Sequence, residues 1–479
     1  MQKLNRTTAN LPANKQVKII QFGGGNFLRG FVDWMVDELN KQTNFNGGVL
    51  VIKPTEKGDY TALRKQDGLF HLLTRGIREG ALVAEQQLIQ CIQNIIHPYQ
   101  EWNKYLKSAE IPSLRFVVSN TTEAGIQFSK QDTFTNQAPK EFPAKLTCWL
   151  YHRWQFFSGD VDRGCIHLPC ELIEQNGHQL KKCILQYVDL WKLEPTFKDW
   201  IRDHNYFCNT LVDRIVPGFP DGDISTVYQE LGFEDNLIVS AEPYHIWVIE
   251  GEEFIKKELP FEQTNLNVVF TNNLEPYRQL KVRILNGAHT TMVPIGYLSN
   301  IETVRTAVED EKVGQFLKTA LYEEILPTLD FPQAAKEKYM ADVLDRFKNP
   351  YIHHQLISIA LNATSKYKTR VLPSLLRFYK LTGTVPPKLA TALAALITFY
   401  RGKRNGHLIP IKDSEFALSF FQNVWKEWNT DKDTSKLVRQ VLKENTFWGQ
   451  DINKIEGLAE KIVGDVNQFI KHSPIEIPQ

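Results

Sequence analysis

The chain is short of the residues that staple small secreted folds. Cys91, Cys148, Cys165, Cys170, Cys183 and Cys208 are its only cysteines in 479 residues, and none forms a Cys-x-x-Cys pair. Such sparse usage argues against a disulfide scaffold and fits reduced thiols in a cytoplasm. An apolar leader is missing as well: Met1 to Lys15 is polar, so no signal peptide is expected. The longest apolar stretch, Ala392 to Tyr400, is about half of what spans a bilayer. No internal repeat or low-complexity tract is present. Excess charge is absent too. A net charge of +1 gives no electrostatic reason to expect nucleic acid or an anionic membrane as partner. The sequence leaves the oligomeric state open between a monomer and a small homo-oligomer.

What is present is an ordinary globular composition, 42% hydrophobic and 23% charged. The length exceeds one compact core, and two domains are expected. Residues 17–22 read as a short buried strand, broken by Gly23-Gly24-Gly25. From Phe27 to Asn40 an apolar stripe of Phe27, Phe31, Trp34 and Met35 follows the helical period. Residues 48–52 and 115–120 read as further strands, the second running into the turn Thr121-Thr122-Glu123. Strand, glycine turn, helix, strand is a βαβ unit, which predicts an α/β fold with a parallel sheet. Strand-like pieces recur at 164–168 and 237–240. Residues 262–277 turn polar and Asn-rich, and helical periodicity dominates afterwards, as over 312–326, 354–362 and 389–400.

Gly23 to Gly30, Gly-Gly-Gly-Asn-Phe-Leu-Arg-Gly, stands where a dinucleotide pyrophosphate would be held. Glycines let the backbone approach phosphates, and the helix start that follows offers free N–H groups and a favourable dipole. Arg29 is placed to meet a phosphate too. The spacing departs from G-x-G-x-x-G, because Leu28 takes the third glycine's place and Gly30 lies two residues on. The second strand runs into Lys53-Pro54-Thr55-Glu56, where an acidic residue usually meets the adenosine ribose. Lys53 suits a 2′-phosphate and Glu56 a 2′-hydroxyl. A nicotinamide dinucleotide is the expected cofactor, and these residues leave the choice between NAD and NADP open. The expected contacts are Phe22, Gly23, Gly25, Asn26, Phe27 and Arg29, joined by Asn120 and Glu123 from the later strand end. The reading is a Rossmann-like domain over residues 1–272 and a mostly α-helical substrate domain over 273–479.

Residues 281–289, Lys-Val-Arg-Ile-Leu-Asn-Gly-Ala-His, place an amine, a carboxamide and an imidazole in a largely apolar segment. At about 100° per residue on an α-helix, Lys281, Asn286 and His289 fall within an arc of roughly 140°. A proton acceptor, a polarising donor and an orienting group are what removing hydrogen from a secondary alcohol requires. A nicotinamide ring would accept the hydride. A free lysine titrates near 10.4, and burial beside a cationic ring would lower that value. Ser365-Lys366-Tyr367-Lys368-Thr369-Arg370 is a local basic cluster, read either as a solvated face or as a carboxylate site formed by Lys366 and Arg370.

Taken together, Asn26-Phe27-x-Arg29, the Lys281-x4-Asn286-x2-His289 spacing and the helical second half resemble the polyol-specific long-chain dehydrogenases over nearly the whole chain. Gly25 to Trp34, Ile284 to Thr290 and Cys170-Glu171-Leu172-Ile173 look most like the branch that interconverts altronate and tagaturonate. The histidines typical of the mannitol and fructuronate branches are missing from the first segment. The resemblance implies a cytoplasmic oxidoreductase of hexuronate catabolism with a sugar-acid substrate. Lys281 would be its metal-free acid/base. Asn286 and Asn176 would polarise the reacting oxygen, while His289 orients the substrate hydroxyl or the lysine. Asp213 would be an acid tuning charge near that lysine. It further implies that Arg346 faces the substrate and that Asn349 is a contact. Fructuronate or neutral-polyol turnover is the alternative within this class; a nucleotide-binding regulator without turnover is the alternative outside it.

Two groupings invite a metal. Cys165-x-His167-x2-Cys170 and His353-His354 hold soft ligands close together, but neither matches a zinc spacing, and no metal is expected.

Overall fold

The computed structural model describes residues 1–11, 15–121, 124–220, 222–472, 474, 475 and 477. The chain divides into two compact units, Met1–Arg75 with Leu82–Leu274, and Gly76–Ala81 with Glu275–Gln479.

Unit 1 is organised by a six-stranded, all-parallel sheet. Its strands in chain order are β1 (Gln16–Phe22), β2 (Gly47–Ile52), β3 (Ile92–Ile96), β4 (Phe116–Ser119), β5 (Ile166–Pro169) and β6 (Tyr206–Phe207). Their order in space is β3-β2-β1-β4-β5-β6, the doubly wound arrangement in which ligands bind where the winding reverses, between β1 and β4. Successive side chains of a strand point to opposite faces, and here both faces are covered. Ile19, Val49, Val51 and Val118 pack with Phe31, Met35 and Trp247 on one side. Ile20, Phe22, Leu50, Ile52 and Val117 pack with Tyr105, Trp149 and Phe197 on the other. That double burial explains why these strands read as continuous apolar runs rather than alternating ones.

Behind the first layer lies a mixed sheet of β7 (Asn209–Asp213), β8 (Ile246–Glu250) and β9 (Val268–Thr271), in the order β7-β8-β9. Trp247 on β8 is 1% exposed and meets Phe31 and Phe261 at ring separations of 5.8 and 5.9 Å. The sequence reading placed no strand at β7 or β8, nor at the long strands Phe70–Arg78 and Ala81–Ile89. Glu79-Gly80, both at positive φ, form the turn between these last two, a cue legible from the sequence.

The helix α1 begins at Asn26–Leu28, passes through a π turn at Arg29–Asp33 and continues as Trp34–Gln42. Unit 2 is mostly helical; beside the ends of the strands Phe70–Arg78 and Ala81–Ile89 that belong to it, its described strands are the two-residue pair Lys403–Arg404 and His407–Leu408. Its central element, α2, runs from Glu275–Leu280 through a π turn at Lys281–Asn286 into Gly287–Leu298. Around it stand α3 (Gln333–Phe347), α4 (Ala363–Arg370) and α5 (Pro387–Phe399), which is buried from Leu389 to its end. The helix expected over 354–362 is only Leu356–Ile359, and Asn362 beyond it takes a left-handed conformation that starts α4. No described helix is long and apolar enough to cross a membrane.

Truncating Trp247 to alanine removes a buried indole from the layer that supports α1. The Trp247→Ala variant is expected to lose about 3–5 kcal/mol of unfolding free energy, read from urea denaturation of the whole chain.

Candidate active site

At the end of β1, Gly23 takes φ +122°, and a Cβ there would lie 2.9 Å from Leu28 Cδ1 and 3.1 Å from the Asn120 carbonyl. Only glycine closes the crevice this tightly. Gly25 is the N-cap of α1 and makes no side-chain cap, and the space where its Cβ would stand is open. The first N–H groups of α1 have no partner within the helix, which is the arrangement that receives a phosphate. A dinucleotide pyrophosphate fits this turn. The third glycine's usual task, close packing of the helix, falls to Gly30: a Cβ there would come within 2.8 Å of Val216 Cγ1.

Not every expected contact survives. Phe22 is fully buried beneath the sheet, 4.8 Å from the Phe142 ring, so only its backbone borders the turn. Arg29 is 7% exposed and fastens the loop: Nε donates to the Gly24 carbonyl at 3.2 Å, Nη2 to Asn26 Oδ1 at 2.8 Å, and Nη1 to the Leu237 carbonyl. Phe27 stacks on Phe31 at 5.0 Å. Asn120 closes the strand end by donating to the Cys170 carbonyl at 3.0 Å. Glu123 lies outside the described residues. Tyr60, unforeseen in the sequence, accepts the Gly24 N–H at 2.8 Å.

Lys53 is buried, and its ammonium donates to the Thr55 carbonyl at 2.7 Å, Thr55 Oγ1 at 2.8 Å and the Lys57 carbonyl at 2.6 Å. Burial lowers its pKa, against the pull of Asp59. With its three protons so placed, Lys53 has none left for a 2′-phosphate. Glu56 stands exposed in the same loop.

Asn176 was expected to polarise the reacting oxygen; the structure gives its amide another task. Nδ2 donates to the carbonyls of Pro169, Glu171 and Thr210 at 3.0–3.1 Å, and Oδ1 accepts from Thr210 N–H at 2.9 Å. It ties the end of β5 to β7, with its donors committed to backbone. Glu171, also missed in the sequence, is buried and accepts from Ser119 Oγ, Thr121 Oγ1 and the Thr121 N–H at 2.9–3.0 Å. Asp213 ends β7, 7% exposed.

In unit 2 the Lys281 segment is a π turn rather than the expected α-helix, shown by the Gly287 N–H reaching the Val282 carbonyl. The consequence is favourable. Residues five apart stand about 140° apart on an α-helix but about one turn apart where bonds run from i to i+5. The π turn therefore brings Lys281 over Asn286, and His289 follows three residues later on the same face. Arg283 anchors the turn by donating to the carbonyls of Thr369 and Arg370 at the end of α4.

His289 stacks on Phe347 at 4.2 Å and meets the edge of His354 at 5.3 Å. Its Nε2 is sealed from solvent with no hydrogen-bond partner among the described residues. Burial first, then the charges of His354, Arg346, Arg370 and Lys366, hold the imidazole well below its ordinary pKa. The expected substrate residues Arg346, Lys366 and Arg370 are thus all near enough for their charges to act on His289. Lys366 donates to the Ile359 carbonyl at 2.8 Å, whereas Arg370 makes no side-chain hydrogen bond among the described residues. Asn349 is 1% exposed, and its Oδ1 accepts the Tyr351 N–H at 3.0 Å.

Among the described residues no three His, Cys, Asp or Glu side chains are grouped to hold a metal ion. His167 stacks on Phe207 at 4.1 Å and bonds Asn205 at 3.3 Å, and burial drives its pKa down to about 3.

The doubly wound sheet with its glycine turn, followed by a helical unit, is the architecture of a Rossmann-type dehydrogenase, and the sequence comparisons make the chain a pyridine-nucleotide oxidoreductase. The sequence matches the mannitol dehydrogenase Rossmann domain over residues 17–263 and the mannitol dehydrogenase C-terminal domain over residues 273–470. The chain belongs to the mannitol dehydrogenase family. It is 44% identical over 469 residues to an altronate oxidoreductase of Bacillus subtilis (strain 168), covering 98% of this chain and 96% of the relative. It is 42% identical over 473 residues to an altronate oxidoreductase of Yersinia enterocolitica, covering 98% of each. Its fold is similar to that of a substrate-free D-sorbitol dehydrogenase (TM-score 0.73, 21% identity, 96% of this chain and 100% of that one). It is likewise similar to Pseudomonas fluorescens mannitol 2-dehydrogenase, solved as a ternary complex with NAD and D-mannitol (TM-score 0.66, 20% identity, 98% and 97% covered).

Replacing Asn176 leaves buried carbonyls without donors. Asn176→Ala is expected to cost about 2–4 kcal/mol of stability in chemical denaturation. An alanine variant as stable as the parent, impaired only in turnover, would return the amide to the chemistry.

Proposed function

We propose that the chain interconverts D-altronate and D-tagaturonate, using NAD, with Lys281 as a metal-free acid/base. The observation that carries this reading is the cluster of Arg346, Lys366 and Arg370 around neutral His289, in the unit that also bears Lys281 and Asn286. A neutral polyol has no use for three cations, whereas a sugar acid brings a carboxylate that a guanidinium binds in two-pronged fashion. The relatives named altronate oxidoreductase support the same substrate.

The nicotinamide, when bound, supplies the hydride acceptor or donor. The protein's task is the proton. Lys281 takes it from the reacting hydroxyl in oxidation and returns it to the carbonyl oxygen in reduction. Asn286, brought over Lys281 by the π turn, donates to the oxygen as its negative charge grows. His289, neutral, accepts from a substrate hydroxyl through Nε2, the atom left without a partner. Arg370 is assigned the carboxylate, because Lys366 already holds the Ile359 carbonyl. Asp213 is assigned to tuning the charge in which the lysine works. NAD is preferred over NADP because Lys53 has no proton free for a 2′-phosphate, while Glu56 remains for a 2′-hydroxyl.

The purified enzyme is expected to oxidise NADH with tagaturonate far faster than with fructuronate or fructose, and to prefer NADH to NADPH. Faster turnover of fructose or fructuronate would overturn the substrate assignment. Lys281→Ala is expected to lower turnover at neutral pH by about 10²–10⁴, the worth of general acid/base catalysis, with chelators leaving the parent's rate unchanged.

Arg370→Met is expected to raise KM for tagaturonate about tenfold or more, a loss of at least about 1.4 kcal/mol, with a smaller effect on kcat. An unchanged KM would move the carboxylate to Arg346 or Lys366.

A further inference from the structure

Beneath the glycine turn a pair of buried side chains is joined to the cradle. Gln21, wholly buried on β1, donates from Nε2 to the Gly23 carbonyl at 3.1 Å and to Asp33 Oδ2 at 3.2 Å. Asp33, also wholly buried, is the last residue of the π turn in α1. Arg29, the first residue of that turn, donates to the Gly24 carbonyl at 3.2 Å. One turn of helix therefore holds the carbonyls of two successive cradle glycines, one of them through Gln21.

Two buried atoms of this network have no partner among the described residues, Gln21 Oε1 and Asp33 Oδ1. Both are acceptors, and they belong to the two side chains already joined through Nε2 and Oδ2. A carboxamide beside a carboxylate is one donor short. A proton on Oδ1 would supply that donor, with Gln21 Oε1 as the acceptor that lacks one.

We propose that Asp33 is a positioning residue for dinucleotide binding: as the protonated acid it pairs with Gln21 and holds the Gly23–Gly24 backbone in its receiving shape. The inference rests on the dinucleotide reading of the glycine turn. Burial pushes the Asp33 carboxyl up to about 7, helped by the charge of Asp37 and opposed by the Gln21 bond and the charge of Arg29. Cys91, whose Sγ donates to the Asp33 carbonyl at 3.2 Å, is raised well above the usual thiol range and stays neutral. Arg6 acts on the same cluster through Cys91 and Asp37. The sign follows from linkage. The folded chain keeps a proton that the unfolded chain releases near pH 3.8, so the contribution is full below that value. It is lost as the pH rises through about 7.

The test measures Kd for NADH by fluorescence between about pH 5.5 and 8.5, alongside the thermal melting of the unliganded protein. The parent is expected to bind about tenfold more weakly at the alkaline end, in keeping with one hydrogen bond. Asp33→Asn offers an amide donor in place of the acid, so its binding should remain tight and independent of pH. Asp33→Leu should bind weakly throughout. A parent with pH-independent binding, or an Asp33→Asn variant that follows the parent's profile, overturns the inference. Should Asp33→Asn fail to fold, infrared spectra of the unliganded parent decide. A buried carboxylic-acid band that fades as the pH rises through neutrality supports protonated Asp33, and its absence throughout overturns it. A parent that binds neither NADH nor NADPH overturns the dinucleotide reading itself.

Discussion

A parallel sheet buried on both faces leaves only its strand ends for polar chemistry, and unit 1 depends on that constraint. Ile19 and Ile20, or Val51 and Ile52, point into opposite apolar layers, so neither face of the sheet can carry a site. The carboxyl ends of β1 and β4 must do so, and they are held apart by little more than an absent side chain at Gly23. Everything around that gap is arranged to keep it rigid. Arg29 draws in the carbonyls of Gly24 and Leu237, Tyr60 takes the Gly24 N–H, and Asn120 is fixed to Cys170.

Both candidate sites lie on helices that depart from α geometry. π turns are rare and concentrate where a helix must re-aim side chains. In α1 the turn brings Arg29 and Asp33 beneath the cradle. In α2 it brings Lys281 over Asn286, which an unbroken α-helix would set well around its circumference. The α2 turn is held by Arg283, whose guanidinium reaches the last carbonyls of α4, the helix carrying Lys366 and Arg370. The turn that bears Lys281 and the helix that bears Lys366 and Arg370 are therefore fastened to each other within unit 2.

His289 illustrates how the surroundings of a side chain define its chemistry. Out of water and under the charges of His354, Arg346, Arg370 and Lys366, the imidazole is held well below its ordinary pKa, so it favours the neutral form over the positive charge. Lys53 is the converse case. Its charge stands at the end of β2, yet the loop 53–57 wraps its own oxygens around the ammonium and takes up its three protons.

Much was legible in the sequence alone. Runs of β-branched residues mark β1, β2 and β4, the glycines mark the turn, and the spacing puts Lys281, Asn286 and His289 on one helix, while Lys366 and Arg370 read either as a solvated face or as a carboxylate site. These depend on local periodicity and spacing, which a linear sequence carries in full. Only the tertiary structure could decide which polar groups remain free. Arg29 is saturated in part by Leu237, 208 positions away, and Asn176 by Thr210, 34 positions away, distances at which no periodicity is visible. The one-residue change of pitch at Lys281 was hidden for a related reason. Whether an N–H reaches back four or five residues is set by what the helix packs against, as Arg283 on the end of α4 shows.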